Sequence, residues 1–130
     1  MSFRRSKKIY IITDDTQISS ALSAYLSKDN DDQIHIFDAG DKALEAIHQV
    51  VPDVIVLSYH LNHHTEHALN GIQTMEEIRK KHSNIHFIVL SSQESYGIAL
   101  QSLTHGAEHY IVKDDEHAFK DIAAIITEIQ

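Results

Sequence analysis

Four short runs of branched apolar residues, each ending at a small polar or charged residue, constrain the fold of this chain more than any other feature. These runs are residues 9–13 before Asp14 and Asp15, 54–57 before Ser58, 87–90 before Ser91, and 110–112 before Lys113. Continuous apolar runs of this length are typical of strands buried on both faces of a parallel sheet. Because the carboxyl ends of parallel strands share one edge, where ligands of open α/β sheets bind, we predict that these polar residues form a site.

Helical periodicity separates the predicted strands. Ile18, Leu22 and Tyr25 recur at the spacing of an inward-facing stripe on a first helix. A second strand is predicted at residues 34–37 and a second helix at residues 40–51, which ends before a proline. The apolar positions of the other three predicted helices are Ile72, Met75 and Ile78, then Ala99 and Leu103, then Phe119, Ile122, Ala123 and Ile126. This alternation predicts a (βα)₅ fold with right-handed crossovers.

Composition and charge limit the classes of function. With 130 residues, 42% of them hydrophobic, we expect one domain at residues 1–130 and no effector domain within it. The net charge of −8 argues against a nucleic-acid-binding surface. The basic residues 4–8 precede an apolar stretch that is too short for a signal peptide or a membrane span, so neither is expected. A sequence without cysteine fits a cytoplasmic protein.

With these strand ends in place, the chain resembles a receiver domain of the two-component response regulators over essentially its whole length. Asp14 and Asp15 match the acidic pair of that family, Ser91 matches its hydroxyl residue, and Lys113 matches its lysine. Tyr110 matches the aromatic residue that changes rotamer together with the hydroxyl residue. The resemblance implies a flavodoxin-like (βα)₅ fold, with five parallel strands in the order 2-1-3-4-5 and helices on both faces of the sheet.

The resemblance also implies a role in phosphorelay signalling rather than an enzyme. In this family an aspartate after the third strand takes the phosphoryl group of a phosphohistidine, while Mg²⁺ neutralises the phosphoryl oxygens. The positions implied for the metal are Asp14, Asp15 and His60. The expected partners are a histidine kinase, other signalling proteins or a second receiver, so a homodimer is one form to expect. The face for these partners would include Tyr96, Ile98, Tyr110 and His117.

The sequence departs from the family pattern at the phosphoacceptor position, which is Ser58. Its neighbours Leu57 and Tyr59 offer no carboxylate either. A serine hydroxyl needs an adjacent base to act as a nucleophile, and its phosphate ester would be stable rather than labile. We therefore predict that Mg²⁺ binds weakly and that Lys113 pairs with one aspartate of the acidic pair. The predicted function is a degenerate receiver that acts as a phosphorylation-independent protein interaction module.

Two alternatives concern the acidic pair. The domain could still accept a phosphoryl group by a non-standard route, on Ser58 or on Asp14 or Asp15. Alternatively, the aspartates could simply cap the first helix, where acidic groups satisfy free N–H groups. On that alternative Ser91 would be an ordinary turn residue and Lys113 an exposed strand end.

Histidine is the second unusual feature, with 11 in the chain and four of them between residues 60 and 67. If this segment were helical, His60, His63 or His64, and His67 would share one face. Such a set could bind Zn²⁺, Ni²⁺ or Cu²⁺ and regulate the domain. The alternative is a solvated polar loop. Because imidazoles gain charge between pH 7 and pH 5, a response to pH is a further alternative.

Overall fold

The computed structural model describes residues 5–28, 31–61, 69–92, 96–113 and 117–129, except for the side chain of Tyr96. Strands and helices alternate through these residues, and no helix among them is long and apolar enough to span a membrane. Their bounds are β1 Lys8–Ile12, α1 Thr16–Leu26, β2 Gln33–Phe37, α2 Gly40–Ala46, β3 Val54–Ser58, α3 Gly71–Arg79, β4 His86–Ser91, α4 Tyr96–Thr104, β5 His109–Val112 and α5 Ala118–Glu128.

The strands form a five-stranded parallel sheet in the order β2-β1-β3-β4-β5. This order confirms the fold implied by the resemblance. The register aligns Ile12 of β1 with Leu57 of β3, and Ser58 of β3 with Leu90 of β4. The residues that come after β1, β3, β4 and β5 therefore lie at a common edge of the sheet, as the apolar runs predicted.

The apolar residues form two core layers, one on each face of the sheet. In the first layer Tyr10 and Phe87 of the sheet pack with Met75 of α3 and with residues of α2. In the second layer Leu22 of α1 and Ile122 of α5 pack with the strand residues that point the other way. Because successive side chains of a strand point to opposite faces, one continuous apolar run supplies both layers.

The inward stripe of α1 differs from the prediction at Tyr25, which is 39% exposed. Leu22 is buried as predicted, and Leu26 is buried in place of Tyr25, because residues four apart lie on the same face of a helix. Tyr25 lies at the border of this face, where its ring packs against Phe119 with a centroid distance of 5.9 Å. This position keeps the ring in contact with α5 while part of the side chain stays exposed.

The second helix is shorter than predicted. α2 ends at Ala46, whereas the apolar period extended it to Val51, which is 47% exposed. The hydroxyl of Tyr10 donates a hydrogen bond to the carbonyl of Val50 and so holds this segment against the sheet. In addition, Pro52 disfavours a helical conformation of the residue before it.

The start of α3 lies directly against the end of β3. Asn70 caps α3 through a capping box with Gln73, and the N–H of Gly71 donates to the carbonyl of Tyr59 at 3.1 Å. A Cβ atom at Gly71 would lie 2.3 Å from the carbonyl oxygen of Ser58. Glycine is therefore required here by the close approach of two backbones, and this approach positions the strand end that carries Ser58.

Asp15 fixes the start of α1. Its Oδ1 accepts hydrogen bonds from the N–H groups of Gln17 at 3.0 Å and Ile18 at 3.1 Å, which makes it the N-cap. The bond from Ile18 is the largest cause that lowers the pKa of Asp15 below its usual value, and the nearby Lys113 lowers that pKa further against the effect of burial. The expectation that an aspartate of the pair caps the first helix is thus confirmed for Asp15.

We predict that Gly71→Ala destabilises the protein by about 1–3 kcal/mol, because the added methyl group must push α3 away from β3. Chemical denaturation should show this loss of the free energy of unfolding. Ser20→Ala on the exposed side of α1 is the matched control and should change that free energy by less than about 0.5 kcal/mol. Equal stability of the two variants would contradict the close approach at Gly71.

We predict that Asp15→Ala lowers the free energy of unfolding at pH 7 by about 1 kcal/mol, the usual value of an N-cap. Since the pKa of Asp15 is lowered in the folded protein, its carboxylate stabilises the fold above about pH 4. This contribution is lost as the pH falls through the folded-state pKa. Urea denaturation should therefore show that the difference in the free energy of unfolding between wild type and variant narrows toward pH 3. A difference that stays constant with pH would contradict the cap.

Candidate functional site

A pair of hydroxyl groups occupies the end of β3. The Oγ of Ser58 donates a hydrogen bond to the Oγ1 of Thr13 at 2.7 Å, and the same Oγ1 accepts the N–H of Asp15 at 3.2 Å. Thr13 is buried, whereas Ser58 is half-buried. The position that resembles a phosphoacceptor is thus linked through Thr13 to the backbone of the acidic pair.

Sequence reasoning missed Thr13 as a site residue, because it was assigned to the first apolar run. In the structure β1 ends one residue earlier, at Ile12. The signal that could have identified Thr13 is its position: it is the next residue after Ile12, and Ser58 is the next residue after Leu57, the partner of Ile12 in the sheet. Two hydroxyl residues at matching positions of adjacent parallel strands can reach one another.

Lys113 lies beside Asp15, one of the two partners predicted for it, with 3.4 Å between its Nζ and the Oδ2 of Asp15. The two side chains are partly exposed, so the ion pair contributes little stability by itself. The main-chain N–H of Lys113 donates to the carbonyl of Ser91 at 2.7 Å, which continues the contact of β5 with β4. Asp15 therefore both caps α1 and faces the lysine.

Of the remaining site positions, Asp14 and Ser91 lie where their strands end, whereas Tyr110 lies within β5. Ser91 is buried at the end of β4, and Asp14 is half-buried next to Asp15. Tyr110 is half-buried in β5 and packs against the core layer that contains α2 and α3. The structure therefore bonds Lys113 to Asp15 and Ser58 to Thr13, and it places Asp14 next to Asp15 along the chain. Ser91 lies beside Lys113 across the sheet, where its carbonyl accepts the N–H of Lys113.

The histidine-rich segment contributes one described residue, His60. Its ring is half-buried and meets the ring of Tyr59 edge to face, with a centroid distance of 4.8 Å. The other histidines of the proposed metal set, His63, His64 and His67, lie outside the described residues. Among the described residues no group of three or more His, Asp or Glu side chains is arranged to hold a metal ion.

The carboxylate oxygens at this edge of the sheet are ligands of the type that a hard cation prefers. Carboxylate oxygens are preferred by Mg²⁺, and Asp14 and Asp15 supply them. However, the Oδ1 of Asp15 already accepts two N–H groups and its Oδ2 faces Lys113. The third strand supplies the neutral hydroxyl of Ser58 in place of a further carboxylate.

The predicted partner face lies on α4, β5 and the start of α5. Ile98 and Tyr110 are half-buried and His117 is exposed, while the side chain of Tyr96 lies outside the described part of the chain. Sequence reasoning missed the exposed Leu100 of α4, at 57%, and placed Leu103 on the apolar stripe of this helix, whereas Leu103 is 47% exposed. Their signal was present, because α4 contains no charged residue and these leucines are three residues apart.

Residues 9–125 match the family model of the response regulator receiver domain. The response regulator protein VraR of Staphylococcus saprophyticus is 25% identical over 107 residues, which are 82% of this chain and 49% of VraR. The uncharacterised transcriptional regulatory protein YcbL of Bacillus subtilis is 30% identical over 103 residues, which are 79% of this chain and 42% of YcbL. This chain thus spans about half the length of these relatives or less.

The fold is also found among solved structures. The signal receiver domain of the response regulator NarL from Mycobacterium tuberculosis aligns with a TM-score of 0.79 at 19% identity, over 97% of this chain and 99% of that one. At this identity the likeness concerns the fold alone. The family match over most of the sequence, on a parallel sheet of order 2-1-3-4-5, shows that the chain belongs to the family of response regulator receiver domains.

Proposed function

We propose that residues 1–130 form one receiver domain that has lost the phosphoaspartate switch and acts as a phosphorylation-independent protein interaction module, without enzyme activity. The observation that carries this proposal is the hydroxyl of Ser58 at the end of β3, hydrogen-bonded to Thr13 at 2.7 Å. A carboxylate is the group that the family uses at this position. A hydroxyl in the same place changes the chemistry of the site.

The contacts of Ser58 support the loss of phosphoryl transfer. A serine becomes a nucleophile when an adjacent base takes its proton. Ser58 donates its hydrogen bond to another hydroxyl, that of Thr13, and a hydroxyl is not a base at neutral pH. Lys113, the residue that would neutralise a phosphoryl group, faces the carboxylate of Asp15 instead. Lys113 is thus already paired with a carboxylate in the absence of a phosphoryl group.

We infer that Mg²⁺ binds weakly to this domain. Asp14 and Asp15 are the residues that would hold the ion, which in the family neutralises the phosphoryl oxygens. Both carboxylate oxygens of Asp15 already have partners, and binding must compete with Lys113. Fewer carboxylates at a site also mean lower affinity for a hard cation.

We infer that the partner is a protein: a histidine kinase, another signalling protein, or a second receiver in a homodimer. The face formed by α4, β5 and the start of α5 supports this inference. The outer side of α4 exposes Leu100 and Leu103 and carries no charge, although the net charge of the chain is −8. An uncharged apolar surface of this kind suits contact with protein.

We predict that acetyl phosphate with Mg²⁺ leaves the native protein unmodified, because the group that Ser58 contacts in the described part of the chain is the hydroxyl of Thr13, which is not a base at neutral pH. Ser58→Asp restores the carboxylate beside Asp15 and Lys113 and should gain one phosphoryl group that is lost in mild hydroxylamine. Intact-mass spectrometry measures both outcomes. Ser58→Asn, which has the size of the aspartate without its charge, is the matched control and should remain unmodified.

A phosphoryl adduct on the native chain would overturn the proposed function. Its chemical stability would then identify the acceptor. An adduct that resists hydroxylamine would lie on Ser58, and one that is lost would lie on Asp14 or Asp15. Either result would favour the alternative of a receiver that works by a non-standard route.

We predict that Ser58→Asp binds Mg²⁺ about tenfold more tightly than the native protein, because affinity for a hard cation rises with the number of carboxylate ligands. Isothermal titration calorimetry at pH 7 measures the two dissociation constants. The neutral Ser58→Asn should stay close to the native value. Equal affinity of the native protein and Ser58→Asp would show that position 58 does not contribute to the metal site.

A further inference from the structure

A cavity of about 420 Å³, open to solvent, lies at the amino-terminal edge of the sheet. Three of the residues that line it precede strands along the chain: Arg5 precedes β1, Asp53 precedes β3 and Ile85 precedes β4. The cavity is therefore at the edge opposite to Asp15 and Lys113. Its volume lies within the range of roughly 300–1,000 Å³ that is usual for cavities that hold small molecules.

Part of the lining of this cavity is apolar. Pro52 and Ile85 are buried, and Val51 beside them is 47% exposed. An apolar side chain at a concave surface keeps apolar area in contact with water until another molecule covers it. The apolar part of a small molecule would cover this area favourably.

The carboxylate in the lining already has its partners. The Oδ1 of Asp53 accepts a hydrogen bond from the Nη2 of Arg5 at 3.2 Å, and its Oδ2 accepts the N–H of Lys8 at 2.8 Å. Burial raises the pKa of Asp53, but the N–H of Lys8 and the charge of Arg5 outweigh this effect and hold the pKa below its usual value. The negative charge of Asp53 is thus balanced within the protein.

The hydrogen-bond donors of the lining, in contrast, lack acceptors. Lys81, His82 and Asn84 line the cavity, and their side chains have no hydrogen bond or ion pair in the described part of the chain. A lysine side chain only donates hydrogen bonds, and an asparagine amide and an imidazole can each donate as well. This surface therefore offers donors and a positive charge, on a chain whose net charge is −8.

We propose that this cavity binds a small organic anion. The apolar body of the ligand lies against Val51 and Ile85, and its anionic group, a phosphate or a carboxylate, accepts hydrogen bonds from Lys81 and Asn84. The combination of an apolar lining, unpaired donors and a neutralised carboxylate selects this class of ligand over cations and over uncharged molecules. The inference goes beyond the proposed function and does not depend on it, because the two sites lie at opposite edges of the sheet.

The first test follows the amide resonances of the native protein by NMR during titration with phenyl phosphate and, separately, with phenylacetate. Saturable shifts concentrated in residues 51–53 and 81–86 with either anion support the proposal, and the tighter of the two identifies the preferred anionic group. Benzyl alcohol has the ring without the charge, and inorganic phosphate has the charge without the ring. Each should bind about tenfold more weakly than the preferred anion. Equal affinity for either control would overturn the proposed class of ligand.

The second test changes the charge of the cavity. Lys81→Glu should weaken binding of the preferred anion by about tenfold, and Lys81→Gln should weaken it by about threefold. Lys120→Gln removes the same charge from an exposed position near the start of α5, so it is the matched control and should leave the dissociation constant unchanged.

Asn84→Leu removes a neutral donor and should weaken binding by about threefold. Lys81 and Asn84 are both exposed, so these variants should fold, and urea denaturation checks that they do. Unchanged affinity in Lys81→Glu would overturn the proposal. Shifts centred on residues 13–15, 58 and 113 would also overturn it, because the anion would then lie at the opposite edge of the sheet.

Discussion

The burial of β3 between β1 and β4, with core layers on both faces, is the constraint on which the rest of the structure depends. A strand in that position has no freedom to slip, because a shift by one residue would exchange its two apolar faces. The register therefore determines which residues lie side by side beyond the strand ends. Thr13 and Ser58 can share a hydrogen bond at 2.7 Å because Ile12 and Leu57 are partners in the sheet.

At this edge one carboxylate serves both the fold and the site. Asp15 caps α1 through Oδ1 and faces Lys113 through Oδ2. The role of Asp15 as a helix cap is therefore compatible with the role proposed for it at the sheet edge. Tyr59 likewise has more than one role: its backbone is hydrogen-bonded to β4 and to the start of α3, and its hydroxyl is hydrogen-bonded to α4. Residues directly beyond a strand end are well placed for such double roles.

The sequence was sufficient to predict the five strands and helices, the common edge and the position of Ser58, because apolar runs and helical stripes report burial directly. The sequence was not sufficient where the burial or the contacts of a residue depend on which other residues pack against it. Tyr25 and Leu26 both fit a helical stripe, and the packing of α5 decides between them. Thr13 and Tyr59 became visible only with the register and the side-chain directions, which a single sequence does not contain.

The strand order has a consequence for how the chain is made. Of the five strands, β1 is synthesised first, but it lies inside the sheet between β2 and β3. Parallel pairing requires a crossover, so β1 can complete its hydrogen bonds only after α1, β2, α2 and β3 have left the ribosome. Non-local pairing of this kind is slow compared with helix formation. The nascent chain thus carries an apolar strand that is only half paired, which is the type of segment that chaperones bind during synthesis.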